Sequence, residues 1–204
     1  YDLHYHKEPN ASIVKAFVED YPFAFLTGCD TSANPIATQV PVFLEEKEGR
    51  KILRGHIMKN TDHHRAFLQN TNVLVVFTGK HTYVSGTWYS DSYTAATWNY
   101  MSVHMKGKIR FFVDNELEDV LRSTTLHFEN QNRQSTTVFD NLPASFKKRV
   151  MGAIVAFEIE VNHIDTVFKL SQDRNKTSYR NIIKHLKEKG EDGKTIAFEM
   201  EKRE

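Results

Sequence analysis

Apolar residues first recur at helical spacing at Ile13, Phe17 and Tyr21, with Val14 and Val18 alongside. That stripe predicts a helix capped by Asn10 and running to about Asp20, where Pro22 ends it. Phe23–Thr27 then reads as a short strand and Asp30–Asn34 as a tight turn. Pro35–Leu44 reads as a second strand, in which Pro41 limits pairing and marks an edge or a bulge. The charged turn Glu45–Gly49 leads into a third strand, Lys51–Ile57, completing a meander whose neighbours pair antiparallel.

Further along, a short helix is expected from about Thr61 to Gln69, followed by a buried strand at Val73–Phe77. Thr78–Ala96 reads as a loop rich in Gly, Ser and aromatics, and Trp98–Val113 as a long strand. Asn115 with Glu118 fits a capping box for a helix carrying Leu117, Val120, Leu121 and Phe128. Gln131–Asp140 is a polar loop, and Pro143 opens a helix to about Met151. Ile154–Val161 alternates as a strand does, with Asp165–Leu170 extending or following it. An amphipathic helix at Thr177–Lys189 closes the reading, with Gly190 as its stop. Six strands joined mainly by turns imply an antiparallel sheet in a mainly β (α+β) domain, and closure into a barrel would remove its edges.

Composition narrows the class. The 204 residues, 40% apolar and 26% charged, suit one globular domain with a real core. A formal charge of +1 supplies no global field toward nucleic acid or an anionic membrane. The single cysteine, Cys29, excludes an intrachain disulfide and suits a reducing cytoplasm. No apolar run approaches the roughly 18 residues of a membrane span. Tyr1–Asn10 carries no signal-peptide pattern, although the absent initiator Met leaves room for a trimmed leader.

Familiar chemical signatures are missing: there is no GxGxxG, GxxxxGK[ST], HExxH, CxxC or GxSxG. The ten histidines include His4-x-His6 and the adjacent His63 and His64, none with a companion at metal-ligand spacing. Two segments do gather useful groups. At Gly55–His63 a strand ends and a helix begins, so backbone N–H groups, His56, Lys59 and Thr61 could hold a phosphate; an ordinary helix cap with a solvated lysine is the plainer account. Between His81 and Tyr100, both tryptophans and several tyrosines mix flat faces with hydrogen-bonding groups, which suits a conjugated heterocycle or a packed core.

Five tracts in order, IATQVPVFL, GHIMKNTDHH, HTYVSGTWY, TWNYMSVHMKGK and GAIVAFEIEVNHIDTVFKLSQ, resemble the PaiB-type FMN-binding negative transcriptional regulators from about Tyr1 to Gln172. The most specific pieces are Thr97–Tyr100 with Val103-His104, and Lys169–Gln172. The resemblance implies an antiparallel six-stranded Greek-key split β-barrel with flanking helices, a homodimer, and FMN between the subunits. It implies a flavin domain over residues 1–170 and a helical extension over 171–204 packed on the same domain. By position, it assigns His56, Lys59, Thr61 and His63 to the phosphate, and Ala37, Thr38, Gln39 and Val40 to the isoalloxazine. Trp88, Tyr89, Trp98 and Asn99 complete the pocket from the opposite subunit. The chain departs from the family pattern at Asn60-Thr61-Asp62, Ser85-Gly86-Thr87, Ala96 and Asp173, which bears on loop geometry around the flavin.

Three functions follow. A flavin-dependent oxidoreductase or redox-linked regulator would leave the hydride chemistry to the cofactor, with His104 and Tyr100 the candidates for proton handling. A DNA-binding repressor would use the basic run Lys169, Arg174, Lys176, Arg180, Lys184 and Lys187, although a solvated helix face explains that run more simply. Haem binding would need an axial histidine that the sequence does not single out.

Overall fold

Pro41 divides what reads in the sequence as one strand. In the computed structural model, which describes residues 3–113 and 115–204, β1 (Phe23–Cys29) pairs antiparallel with β2 (Pro35–Pro41), Phe23 opposite Pro41 and Cys29 opposite Pro35. Proline has no N–H to continue the ladder. Val42 turns away, fully buried, and donates its N–H to the Pro22 carbonyl at 2.8 Å. The next residues form a separate strand, β3 (Phe43–Lys47), paired antiparallel with β4 (Arg50–Met58).

Beyond α2 (Asp62–Gln69) come the long strands β5 (Asn72–Val84), β6 (Thr97–Phe112) and β7 (Ile154–Lys169). The order across the sheet is β2-β1-β5-β6-β7-β4-β3. Consecutive β2 and β3 thus lie on opposite edges. Only Val42 separates them, so the sheet curls, yet no ladder joins the edges. The expected six-stranded closed barrel is therefore corrected to seven strands with an open ladder, because Pro41 splits one strand into two. Gly55 permits the curl: a Cβ there would lie 2.8 Å from the Pro41 carbonyl oxygen and 2.7 Å from the Phe157 ring.

The chain divides into two compact units. One comprises Val18–Phe77 and His104–Ile164. Its core includes the fully buried Leu26, Leu53, Phe67, Phe77, Phe157 and Ile159. On α3 (Asn115–Phe128), Leu117, Val120 and Leu121 form a cluster with Phe139, Ile154 and Ala156. Against that cluster lean Val150 and Met151 of α4 (Ala144–Ala153).

The other unit takes the residues up to Phe17, Thr78–Val103 and Asp165–Glu204. In it α1 (Ala11–Asp20) sets Phe17 against Phe168, ring centroids 5.2 Å apart, and Asn10 caps the helix by accepting from the Ser12 N–H at 2.9 Å. Lys7 pairs with Asp165 at 2.6 Å. α5 (Lys176–Lys187) is followed by α6 (Glu191–Glu201), a helix that the sequence reading stops short of. Gly193 in its first turn lowers its propensity, but buried Ile196, Ala197 and Met200 give it an apolar face, and Tyr179 donates its hydroxyl to the Met200 carbonyl at 2.8 Å. Among the described residues no helix is long and apolar enough to cross a membrane.

Gly107 marks the tightest approach within the sheet: a Cβ would sit 2.3 Å from the Glu160 carbonyl oxygen. The backbone cannot yield as a flexible side chain would. Gly107→Ala is expected to cost about 1–3 kcal/mol by overpacking, read as a lower urea midpoint with an unchanged slope; an unchanged midpoint would contradict the close packing.

Candidate functional site

The strand-to-helix junction of the first unit is built by local capping. β4 delivers His56 at half burial, and Asn60 turns the chain with a positive φ of 61°. Thr61 caps α2: its Oγ1 accepts from the His64 N–H at 3.3 Å and donates to the Met58 carbonyl at 3.1 Å. The Asn60 N–H donates to His64 Nδ1 at 3.1 Å, and the His64 ring meets Phe111 edge-on at 4.9 Å. Asp62 accepts from the His63 N–H at 2.8 Å, and its Oδ1 lies 3.0 Å from the His63 ring nitrogen.

Electrostatics distinguish these groups. Burial holds His56 below the ordinary imidazole range, so it is neutral at pH 7 and offers hydrogen bonds rather than charge. Burial, and then the neighbouring positive groups, lower His64 as well. The His63 N–H keeps the Asp62 carboxyl low, which places a carboxylate at the helix tip. Lys59, half-buried, makes no ion pair among the described residues. It and Arg65, whose guanidinium donates to the Asn60 carbonyl, are the junction's cations.

In the same unit, β2 forms a sheet edge, so half of its backbone groups lack strand partners. Ala37 and Gln39 are exposed, Thr38 and Val40 half-buried. Gln39 stands opposite Phe25, and Phe23 and Phe25 are 59% and 44% exposed. That is a flat strip of two phenylalanines beside unpaired amides, a surface suited to an aromatic ring with polar edges.

The second unit holds the aromatic residues, but in three separate settings. Trp88 is half-buried and stacks on His185 with centroids 4.9 Å apart and planes 18° from parallel, with Lys189 Nζ 5.3 Å from its ring. Tyr89 is buried, Arg174 lies 4.9 Å from its ring centroid, and its hydroxyl makes no hydrogen bond to the described residues. Trp98 is 52% exposed beside His81 and Tyr83. A shallow cleft of about 560 Å³ is lined by Tyr83, Tyr89 and the loop Ser85–Ala96, without Trp88 or Trp98. Gly86 is obligatory in that loop, since a Cβ would meet the Thr94 carbonyl oxygen at 2.2 Å.

Asn99 is fully buried, its Oδ1 accepting from Ser171 Oγ at 3.1 Å and its Nδ2 reaching the Met200 sulfur at 3.6 Å. Lys169 donates to Thr97 Oγ1 and, at 2.9 Å, to the Trp98 carbonyl. The Thr-Trp-Asn-Tyr and Lys-Leu-Ser-Gln tracts are therefore one construction, the second holding the strand that presents Trp98. Sequence reading picked out both tracts but not their contact, for which their shared specificity was the available signal. Nor did it foresee His185 and Arg174 as partners of Trp88 and Tyr89.

The basic run is largely engaged within its own unit. Arg180 pairs with Glu204 and Lys187 with Glu201, each at 2.5 Å, and Arg174 lies 3.4 Å from Asp173.

The seven-stranded, mainly antiparallel sheet with an open ladder is of split-barrel type. Solved structures of that shape include a FAD and haem binding protein from Mycobacterium smegmatis, with a TM-score of 0.61 and 16% identity over 80% of this chain and 73% of that one. The flavocytochrome Anf3 from Azotobacter vinelandii gives a TM-score of 0.59 and 17% identity, covering 82% of this chain and 71% of the other. The sequence profile described as "Putative FMN-binding domain" matches residues 1–163, and the chain belongs to that family. Protease synthase and sporulation protein PAI 2 of Bacillus subtilis is 33% identical over 97% of this chain and 94% of its own length. FMN is the cofactor this membership assigns, and Lys59, neutral His56 and the bare β2 edge fit its phosphate and ring; Asp62 is the one group that opposes a phosphate.

Burial of neutral His56 has a consequence for stability. Below about pH 6.5 the unfolded chain protonates this histidine while the folded chain resists, so stability is full above that pH and falls as pH drops through the window beneath it. Thermal melting between about pH 7 and about pH 5 should show this loss, and His56→Gln should flatten part of it; an unaltered pH slope in His56→Gln would contradict the assignment.

Proposed function

We propose that this chain is a flavoprotein whose FMN lies between two copies, with the phosphate at the β4–α2 junction of one copy. Lys59 supplies the charge. His56, His63 and the backbone N–H of Thr61, whose hydroxyl is engaged in capping, supply hydrogen bonds, and the Ala37–Val40 edge meets the polar rim of the ring. Trp88, Tyr89 and Trp98 of the second copy enclose the ring, and Asn99 acts behind them by holding the Trp98 strand. The observation that carries this reading is the Lys59 ammonium, without an ion pair among the described residues, at the end of a strand in an FMN-binding family.

Residues 1–170 form the flavin domain in this reading, with 171–204 as its helical extension. The Trp88–His185 stack and the Arg174–Tyr89 contact tie the extension to the aromatic segment. Bound FMN would supply hydride or electron transfer, and the chain supplies binding, orientation and exclusion of water. The Bacillus subtilis relative is named for protease synthesis and sporulation, which favours a flavin-linked regulatory role. The engaged charges of the basic run favour regulation without direct reading of DNA by α5.

Lys59→Glu tests the phosphate assignment. It sets a negative charge against the phosphate alone, so FMN affinity should fall at least about tenfold more than riboflavin affinity, measured by flavin fluorescence titration. Equal losses for both ligands would refute it.

A further inference from the structure

α4 turns one face toward a cavity of about 500 Å³. Ala144, Lys147, Lys148, Met151 and Gly152 line that cavity at successive i, i+3, i+4, i+7 and i+8 positions, a complete helical face. The helix has no fully buried residue. Across the cavity lie Leu117, Val113, Lys59 and Glu118, so three lysines and one glutamate border an apolar floor.

One carboxylate, Glu118, lines the cavity and leaves it net positive, and it is shared, with Asp119 and Asp140, by Arg122. Its guanidinium lies 3.9 Å from Glu118, 2.8 Å from Asp119 and 2.9 Å from Asp140. Lys147 meets only the Asp140 carbonyl, at 3.4 Å, and the Phe139 ring, at 5.2 Å. Lys148, like Lys59, makes no ion pair among the described residues. Three lysines against one glutamate leave the void net positive, and an anion seated there relieves the repulsion among the lysines.

We propose that this cavity is a second binding site, for a small amphipathic anion: an organic phosphate or carboxylate carrying an apolar body. The head is held by Lys147 and Lys148, and the body covers Leu117 and Met151. The volume lies within the range of small-molecule pockets. His56, Thr61 and His63 do not line the cavity, so it shares Lys59 alone with the flavin junction and stands whether or not that junction holds FMN.

Isothermal titration of the full chain with 1-naphthyl phosphate, with and without saturating FMN, tests the site. One molecule should bind per chain in both conditions. Lys147→Glu and Lys148→Glu should each weaken binding at least about tenfold, Lys148→Arg should retain it, and FMN affinity should be unchanged in all three. Lys148 is exposed, so its variants should fold, which circular dichroism melting checks. Inorganic phosphate should bind far more weakly for want of an apolar body. Comparable binding of 1-naphthoate would extend the site to carboxylates, and weaker binding would assign it to phosphates. The proposal is overturned by no binding to the FMN-free chain, by charge-reversal variants that bind normally, or by one-for-one displacement by FMN. A chain that takes up no FMN but binds 1-naphthyl phosphate with these sensitivities refutes the flavin reading and leaves this one standing.

Discussion

The missing N–H of Pro41 governs where this sheet can pair. Because the β1–β2 ladder ends at Phe23–Pro41 and Val42 bonds to Pro22 instead, the chain continues as β3 on the far edge of the same sheet. Gly55 lets β4 pass beneath the bend at Pro41. The sheet therefore curls without closing, and β2 keeps a free edge. An open edge is ordinarily a hazard, since it templates pairing with other chains. Here the edge lies beside exposed Phe23 and Phe25, so the same constraint that leaves it open creates a surface that a flat ligand and a second copy can cover.

Placement of charge follows a related economy. Half-buried His56 offers hydrogen-bonding nitrogens without charge, and Asp62 already takes the N-terminal end of α2. Lys59 is thereby left at the junction without an ion pair among the described residues, beside Arg65 on the Asn60 carbonyl. On the α3–α4 side, Arg122 gathers Glu118, Asp119 and Asp140, and the lysines of α4 are left uncompensated. In both places, lysines stand without an ion pair among the described residues beside carboxylates that are held by a local network. In the other unit, Lys169 and Ser171 hold Thr97–Asn99, so the exposed Trp98 rides on a fixed strand.

Much of this was legible in the residues. The capping residue Asn10, the helix start near Thr61 and the alternation of Ile154–Val161 mark elements that form where expected, because each signal is local, whereas Pro41 ends the strand expected to run on to Leu44. The errors arise where the signal is not. β5 runs on to Val84 through polar Thr78–Thr82, and its buried positions change phase between Gly79 and Thr82, so no simple alternation survives to be read. α6 is masked by Gly193 and a charged composition, and becomes stable through Ile196, Ala197 and Met200. At the candidate site, residue types pointed to the junction and the aromatic segment. They could not show that Asn99 faces inward, that Trp88 is occupied by His185, or that Asp62 competes for the helix tip, since these depend on distant partners.

The account turns on the open β2 edge being completed by a second copy around the flavin. Linkage then requires that FMN stabilise the dimer and that dilution release FMN. Sedimentation velocity across a dilution series, with and without FMN, measures this directly. The account predicts that FMN shifts the monomer–dimer midpoint to lower protein concentration and co-sediments with the dimer. A monomer that retains FMN with undiminished affinity would contradict it.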